Sequence, residues 1–325
     1  MEIFHSFLKL LRKLINKHKD HHVSLGQTMS AEETSCEIEK LLSSEKGVMI
    51  ARYGSTELCA IRNYLGVKAG RNIMDYIKGK TGEWWWNPAI LDQMERWSGF
   101  YPATESNIAR FSELMMADSR ELDLLGSWCS NESQMRPYIG NTKITLLRYL
   151  EPFWTSSPWT KALKGKKVLV VHPFAKSILS QYDRRDKLFD NPDTLPEFES
   201  IRVIQAVQSL GKGDSRFKDW FEALEWMKGE INKEDYDVCL IGCGAYGFPL
   251  AAHVKRQGKK AIHLGGALQL LFGIRGRRWD DPEYGVREWG IPKGQYSNLV
   301  NEYWVRPSND ETPSSSSDVE GKCYW

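Results

Sequence analysis

Three glycines with the spacing Gly242-x-Gly244-x-x-Gly247 are the first residues whose types and positions indicate chemistry. They follow the apolar run 238 to 241 and precede a segment with helical periodicity, which predicts a strand-to-helix turn. Glycines at such a turn let backbone N–H groups approach a phosphate, and the helix N-terminus favours its negative charge. A tight turn that binds nothing has the same pattern, so both interpretations stay open.

The next predicted strand ends in His263, Leu264, Gly265 and Gly266. Proteins that bind a dinucleotide place an Asp or Glu there, about 20 residues past the glycines, to hold the ribose hydroxyls. Because this carboxylate is absent, the sequence disfavours NAD and S-adenosylmethionine and leaves a phosphate or ribose site open. Gly265 and Gly266 are candidate ligand-binding residues, together with Tyr246 of the preceding turn.

A second candidate segment, 52 to 57, reads Arg-Tyr-Gly-Ser-Thr-Glu between a predicted strand and its helix. Glu57 is the first candidate for a catalytic or ligand-positioning carboxylate. A carboxylate near a helix start is favourable without any function, so the alternative is a capping partner for Arg52 or Arg62. The candidate ligand-binding residues of this segment are Arg52, Gly54 and Ser55.

The loop that follows the strand KKVLVVHP contains His172, a candidate base or ligand contact. A satisfied interior histidine is the alternative. Lys176 and Ser177 begin the next predicted helix, where backbone N–H groups and a cation could bind an anion. Both are candidate ligand-binding residues.

A basic segment, FGIRGRRW, follows the loop at 264 to 269. Arg275 and Arg277 are candidates for neutralising the charge of a bound diphosphate. The alternative is a solvated basic turn paired with Asp280 and Asp281, because charge runs usually face solvent.

The order of apolar strands and helices in the second half of the chain predicts the fold class. Continuous apolar strands alternate with helices, which is typical of a parallel sheet covered on both faces. We therefore expect an α/β fold with a Rossmann-like, mostly parallel sheet and a helical N-terminal portion. The predicted parts are an amphipathic helix and linker at 1–29, an α/β catalytic domain at 30–306 with a helical insertion at about 75–160, and a Ser/Pro-rich tail at 307–325.

The bulk composition excludes several classes of protein. The net charge of +2 over 325 residues is too small for a general nucleic-acid surface. The six cysteines lack a CxxC pair, so the sequence predicts no zinc site and no disulfide framework and fits a reducing cytosol. No apolar run approaches the ~20 residues that span a bilayer, and the charged N-terminus is unlike a signal peptide.

The N-terminal segment IFHSFLKLLRKLI predicts an amphipathic helix. Residues 1 to 22 carry five basic and two acidic side chains, a balance of +3. This helix could lie on an anionic membrane surface through residues 1–22. The alternative is that it docks on the body of the protein or on a second copy.

Taken together, the 52 to 57 segment, the glycine turn at 242 to 247 and the strand ending in Gly266 resemble the GT-D-fold glycosyltransferases. These bacterial enzymes transfer a sugar from a nucleotide-sugar donor. Their early Arg-[Phe/Tyr]-Gly-Asp-Gly-Glu segment carries an Asp-x-Glu motif associated with a divalent metal and the donor. Here Ser55 replaces the Asp, and a neutral hydroxyl is a poor ligand for a hard divalent ion.

The resemblance implies a GT-D-like fold and a hexosyltransferase-like activity. The donor would be a nucleotide-diphosphate sugar, with a UDP-sugar favoured, and the acceptor a glycan or lipid-linked glycan in surface polysaccharide synthesis. A divalent metal, Mn or Mg, would be held by Glu57 only if one is used. The expected location is cytoplasmic, with peripheral contact to the inner face of the plasma membrane.

Two other functions fit the same residues. One is a catalytically inactive nucleotide- or glycan-binding protein, in which Ser55 marks a lost catalytic centre. The other is a Rossmann-type dehydrogenase or methyltransferase that uses the Gly242 loop, against which the missing acidic residue near His263 argues.

Overall fold

The computed structural model describes residues 2–16, 25, 29–209, 214–312 and 323–325. Its strands are β1 (Val48–Ala51), β2 (Leu124–Ser127), β3 (Lys143–Leu146), β4 (Lys167–His172), β5 (Ser200–Gln205), β6 (Val238–Ile241) and β7 (Lys260–His263). They form one seven-stranded sheet in the order β3-β2-β1-β7-β6-β4-β5, and each pairing in it is parallel. The predicted α/β class with a Rossmann-like parallel sheet is confirmed.

Helices cover both faces of this sheet. They are α1 (Glu2–Ile15), α2 (Ala31–Leu42), α3 (Ser55–Ala69), α4 (Ile73–Ile77), α5 (Pro88–Ser98), α6 (Glu105–Asp118), α7 (Arg136–Ile139), α8 (Ala175–Tyr182), α9 (Trp220–Lys233), α10 (Gly247–Arg256), α11 (Leu268–Leu271), α12 (Arg277–Asp280) and α13 (Val286–Trp289). Alternate residues of the inner strands β1, β2, β4, β6 and β7 enter opposite cores. Met49 and Ala51 pack with α3, α6, α9 and α10, whereas Val48 and Ile50 pack with α2, α8 and α11. Burial on both faces explains why β1 and β6 are apolar throughout.

The segment at about 75–160 departs from the helical insertion expected there. It contains α5 and α6, but it also supplies β2 and β3, which extend the sheet beyond β1. Each of these strands is four residues long. β1 and β6 are equally short but are continuous apolar runs, whereas β2 (LLGS) and β3 (KITL) contain glycine or polar residues, so no apolar run marked them in the sequence.

The C-terminal segment packs against the body where the structure describes it. Glu311, Cys323 and Trp325 are buried, and the last two belong to the core that contains β4 and α8. The serine run of the predicted tail lies outside the described residues. Within the described ranges, no helix is long and apolar enough to cross a membrane.

Candidate functional site

A cavity opens at the carboxyl-terminal edge of the sheet. Its walls come from the loops after β1, β4, β5, β6 and β7, which meet at one edge because the strands are parallel. Ten predicted site residues line it: Arg52, Gly54, Ser55, Glu57, His172, Gly242, Gly244, Tyr246, Gly265 and Gly266. Lys176, Ser177, Gly247, Arg275 and Arg277 do not contribute to this lining.

The glycines bring the β6 and β7 loops into close contact. A Cβ on Gly242 would lie 2.6 Å from the carbonyl oxygen of Gly265, and one on Gly247 would lie 2.1 Å from the His263 ring. Gly244 and Gly265 have φ values of +56° and +63°, which favour glycine. Gly247 does not line the cavity itself. It contributes to the cavity by leaving room for the ring of His263, which lines it.

Helix α3 begins at the cavity without a capping side chain. Its N-cap is Gly54, and no side-chain hydrogen bond caps the helix there. The first N–H groups of a helix have no partner within the helix, so they attract negative charge. Ser55 lies at this helix start and lines the cavity.

The Glu57 side chain folds back over the start of α3. A Cβ on Gly54 would lie only 1.7 Å from Glu57 Oε2, so the glycine provides the space that the carboxylate occupies. Glu57 is 8% exposed. No hydrogen bond or ion pair reaches its carboxylate from the part of the chain that the structure describes, Arg52 and Arg62 included. The carboxylate is therefore available to a ligand.

Arg52 provides a positive charge in the same cavity. Its guanidinium lies 4.8 Å from the centre of the Trp128 ring, and within the described ranges it has no hydrogen-bond or ion-pair partner. Trp128 Nε1 donates to the carbonyl oxygen of Tyr53 at 2.8 Å. The Trp128 backbone N–H donates to the buried Glu132 carboxylate at 3.0 Å. Trp128 is thus fixed as a platform for Arg52, which remains able to bind an anion.

Two buried histidines line the cavity. The Phe174 N–H donates to His172 Nδ1 at 3.0 Å, so the proton of the neutral ring is assigned to Nε2. His263 Nδ1 lies 3.2 Å from the carbonyl oxygen of Ile241, so there the proton is assigned to Nδ1. Burial lowers the pKa of both rings to about 3. Both are neutral near pH 7, which suits His172 to ligand contact better than to proton abstraction.

The start of α8 is closed by the chain's own carboxylates. Glu311 accepts hydrogen bonds from the backbone N–H of Lys176 at 2.7 Å and of Ser177 at 3.3 Å, and from the Ser177 hydroxyl. The Lys176 ammonium pairs with Asp310. These contacts occupy the groups that would bind a ligand, so Lys176 and Ser177 are not brought into the cavity.

The basic segment contributes a different arginine from those predicted. Arg275 Nε lies 3.4 Å from Asp280, and the Arg277 backbone N–H donates to the Trp325 carbonyl oxygen at 3.3 Å. Arg278 lines the cavity, with its guanidinium 4.8 Å from the centre of the Tyr324 ring. Adjacent residues of α12 point about 100° apart, so the segment's composition could not identify which arginine faces the cavity.

The chain's last described residues form another wall that the sequence did not predict. A Cβ on Gly266 would lie 2.2 Å from the Tyr324 ring, so this glycine is required for close packing. Gln269 Nε2 donates to the Tyr324 carbonyl oxygen at 3.1 Å, and Trp325 Nε1 donates to the Glu311 carbonyl oxygen at 3.2 Å. The other unpredicted lining residues include Trp97, Trp128, Gln208, Ser209 and His263.

The donor set does not form a metal site from protein groups alone. Among the residues that the structure describes, no three His, Cys, Asp or Glu side chains are grouped to hold a metal ion. Glu57 is the one residue with a carboxylate side chain in the described lining of the cavity. Hard divalent ions prefer several oxygen ligands, so we assign no chemical step to a metal.

Comparisons with known proteins give two structural similarities. No family model and no curated protein matches the chain. One similar structure is a selenomethionine-substituted domain of unknown function 1792, with 14% identity and a TM-score of 0.39 over 94% of this chain and 96% of that chain. The second is described as showing that the highly conserved domain of unknown function 1792 has a distinct glycosyltransferase fold. It has 12% identity and a TM-score of 0.36 over 94% of this chain and 96% of that chain. Similarity at this level supports no conclusion about activity, donor or acceptor.

Proposed function

We propose that this protein is a glycosyltransferase that moves a hexosyl group from a nucleotide-diphosphate sugar, with UDP favoured, to a glycan or lipid-linked glycan. The supporting observation is that Arg52 and Glu57 line one cavity and that neither forms a hydrogen bond or ion pair with its side chain to another described residue. A cation for the donor diphosphate and a carboxylate for the acceptor hydroxyl are the two groups that the reaction requires.

In the proposed reaction the acceptor hydroxyl oxygen forms a bond to the anomeric carbon of the donor sugar. The bond between that carbon and the diphosphate oxygen breaks, and its electron pair leaves with the nucleoside diphosphate. Glu57 takes the hydroxyl proton. Arg52, Arg278 and the first N–H groups of α3 stabilise the charge of the departing diphosphate.

The remaining cavity residues would bind and orient the donor. His172 carries its proton on Nε2 and is neutral near pH 7, so it can donate a hydrogen bond without adding charge. Gly244 is exposed in the cavity wall, where its backbone N–H can approach a phosphate or ribose, whereas the Gly242 N–H donates to the Val171 carbonyl oxygen at 2.9 Å. Surface polysaccharide synthesis on the cytoplasmic side of a membrane is the process that we propose for it.

Ligand binding is tested by thermal shift with UDP, GDP, CMP, NAD and S-adenosylmethionine, each with Mn²⁺ and with EDTA. A ligand at ~100 times its dissociation constant adds about 2.7 kcal/mol of stability. We expect UDP or GDP to stabilise the protein, and this effect to persist in EDTA because arginines supply the positive charge. Stabilisation by NAD or S-adenosylmethionine alone would overturn the proposal.

Catalysis is tested by consumption of UDP-glucose, UDP-galactose and UDP-N-acetylglucosamine, followed as release of UDP with and without a mixture of glycan acceptors. We expect UDP release that increases when an acceptor is present. Binding of UDP with no consumption of these UDP-sugars would instead identify a nucleotide-binding protein without transferase activity.

A further inference from the structure

Helix α1 is attached to the protein through the side that carries His5, Leu8 and Arg12. Leu8 is 3% exposed and packs with Tyr76 and Ile77 of α4. The His5 ring stacks on Trp85 with 3.8 Å between centroids. Arg12 donates to the carbonyl oxygen of Thr81 at 2.9 Å. The residues that attach the helix recur every three or four positions, so they form one face.

The apolar side of α1 faces away from the protein. Ile3, Phe7, Leu10 and Leu14 are 88%, 60%, 57% and 51% exposed. Their spacing of four, three and four residues makes a continuous row, which we call the apolar row. The helix therefore docks on the body of the protein, as one expectation from the sequence had it, but through the side opposite the apolar row. The described residues leave this row uncovered. Residues 17 to 22 of the predicted membrane segment lie outside the described ranges.

Positive charge borders the apolar row. Lys9 and Lys13 are exposed on the flank of α1 next to the row, and neither forms an ion pair with any residue that the structure describes. Arg71 lies 5.6 Å from the Phe4 ring centre. An apolar row bordered by unneutralised cations complements a surface that has an apolar interior and anionic headgroups.

We propose that the exposed face of α1 binds the surface of a bilayer that contains anionic lipids. At ~1.5 Å per residue the helix is about 21 Å long, so it lies in the interface and does not cross the membrane. A second copy of this chain is a less suitable partner, because pairing two apolar rows would bring the Lys9 and Lys13 cations of both copies together.

A polar groove extends from α1 toward the cavity. It is lined by Arg12, Arg62, Lys80 and Asn131. Asn131 also lines a second cleft, which shares Ser55, Trp128 and Arg278 with the cavity. If the proposed glycosyl transfer is correct, a lipid-linked acceptor anchored beside α1 would have a route to Glu57. Membrane binding itself does not depend on that activity.

The charges in this groove also favour an anionic headgroup. Arg12 and Arg62 have no carboxylate ion pair within the described chain. Arg62 is fixed by hydrogen bonds from its guanidinium to Asn131 at 2.9 Å and to the Gly79 carbonyl oxygen at 3.2 Å. Burial and the neighbouring Arg12 charge lower the Arg62 pKa, while the Glu83 charge opposes this effect. A bound phosphate would relieve the repulsion between the two arginines.

The experiment is co-sedimentation of the full chain with phosphatidylcholine vesicles that contain or lack phosphatidylglycerol. We expect binding to the anionic vesicles that weakens with salt. The double variant Phe7→Ser/Leu10→Ser should lower the partition coefficient about tenfold or more, because two apolar side chains no longer insert. Lys9→Glu/Lys13→Glu should remove the preference for phosphatidylglycerol.

The matched control is Leu179→Ser, which changes an apolar side chain that is 42% exposed on α8. It should bind vesicles like the unchanged protein, and all variants should keep the same melting temperature because the altered positions are exposed. Equal vesicle binding by the Phe7→Ser/Leu10→Ser variant and the control would overturn the proposal. A second result would also overturn it. In that result the unchanged protein binds no vesicles and is a dimer by light scattering, and the double variant is a monomer. Neither result would affect the test of UDP binding.

Discussion

The starts of α3 and α8 lie at the same edge of the sheet but differ in what occupies them. Both helices follow parallel strands, and neither has a side-chain cap from its own N-cap residue. At α8, Glu311 accepts the first backbone N–H groups and Asp310 pairs with Lys176. At α3, Gly54 provides no capping side chain for the first N–H groups, and the side chains of Arg52 and Glu57 form no hydrogen bond or ion pair with described residues.

This difference indicates that the start of α8 is a stabilising contact, whereas the start of α3 is a candidate binding site. The sequence suggests an anion site at both helix starts, because both combine a helix N-terminus with a nearby cation. Among the described residues, Glu311 accepts the first backbone N–H groups of α8, whereas no side chain accepts those of α3. We therefore expect changes at α3 to alter ligand binding and catalysis, and changes at α8 to alter stability.

The largest effect should come from Glu57→Gln. Loss of the base should lower the rate of sugar transfer by about 10²- to 10⁴-fold. The melting temperature should stay the same or rise, because the carboxylate has no described hydrogen bond to lose. Steady-state transfer assays and thermal unfolding of the same preparation measure both quantities. A lower melting temperature with normal transfer would show that Glu57 has a structural role.

Arg52→Gln should weaken UDP binding by about 10- to 100-fold, because charge-assisted hydrogen bonds to the diphosphate are lost. Isothermal titration calorimetry measures this change. The matched control is Lys176→Met, which removes a cation at the closed helix start. Its affinity for UDP should change by less than about twofold, since the exposed ammonium already pairs with Asp310. Equal losses in the two variants would remove the distinction between the two helix starts.

The same two helix starts show how far the sequence could predict this protein. The strands β1, β4, β6 and β7 follow from apolar runs, and the parallel sheet then places the loops after them at one edge. That reasoning identified the segments that contain Arg52, Glu57 and His172, and the structure brings all three into the cavity lining. Their proposed roles stay predictions.

Contacts between distant segments could not be predicted from the sequence. Glu311 accepts a hydrogen bond at the start of α8 from Lys176, which lies 135 positions earlier in the chain. Tyr324 packs on Gly266 although no local pattern links them. Such contacts depend on the path of the whole chain, whereas periodicity describes one element at a time. The absence of β2 and β3 from the sequence prediction has a different cause, because neither forms a continuous apolar run like those of β1 and β6.

Glu311→Gln should show the structural role of the closed helix start. The substitution keeps the shape of the side chain but removes the charge that accepts hydrogen bonds from Lys176 and Ser177. We expect the free energy of unfolding to fall by about 1–3 kcal/mol, measured by urea denaturation. UDP affinity should stay within about twofold of the unchanged protein. A large loss of UDP affinity at unchanged stability would instead make the start of α8 part of the binding site.

The smallest effect concerns His172, at the end of the strand that leads to α8. In the folded protein burial lowers its pKa from the ordinary value of 6.5 to about 3. Below pH 6.5 the unfolded chain binds a proton that the folded chain does not bind. The contribution of His172 to stability is therefore complete above pH 6.5 and is lost as the pH falls toward 3.

His172→Gln should remove this dependence. Between about pH 6 and pH 4, the slope of the free energy of unfolding against pH should be smaller in the variant than in the unchanged protein, by about 1.4 kcal/mol per pH unit. His263 has the same lowered pKa and remains in the variant, so part of the slope should persist. Urea denaturation at several pH values measures the slope. An unchanged slope would mean that His172 accepts a proton in the folded protein. His172 would then be a candidate for the base in place of Glu57.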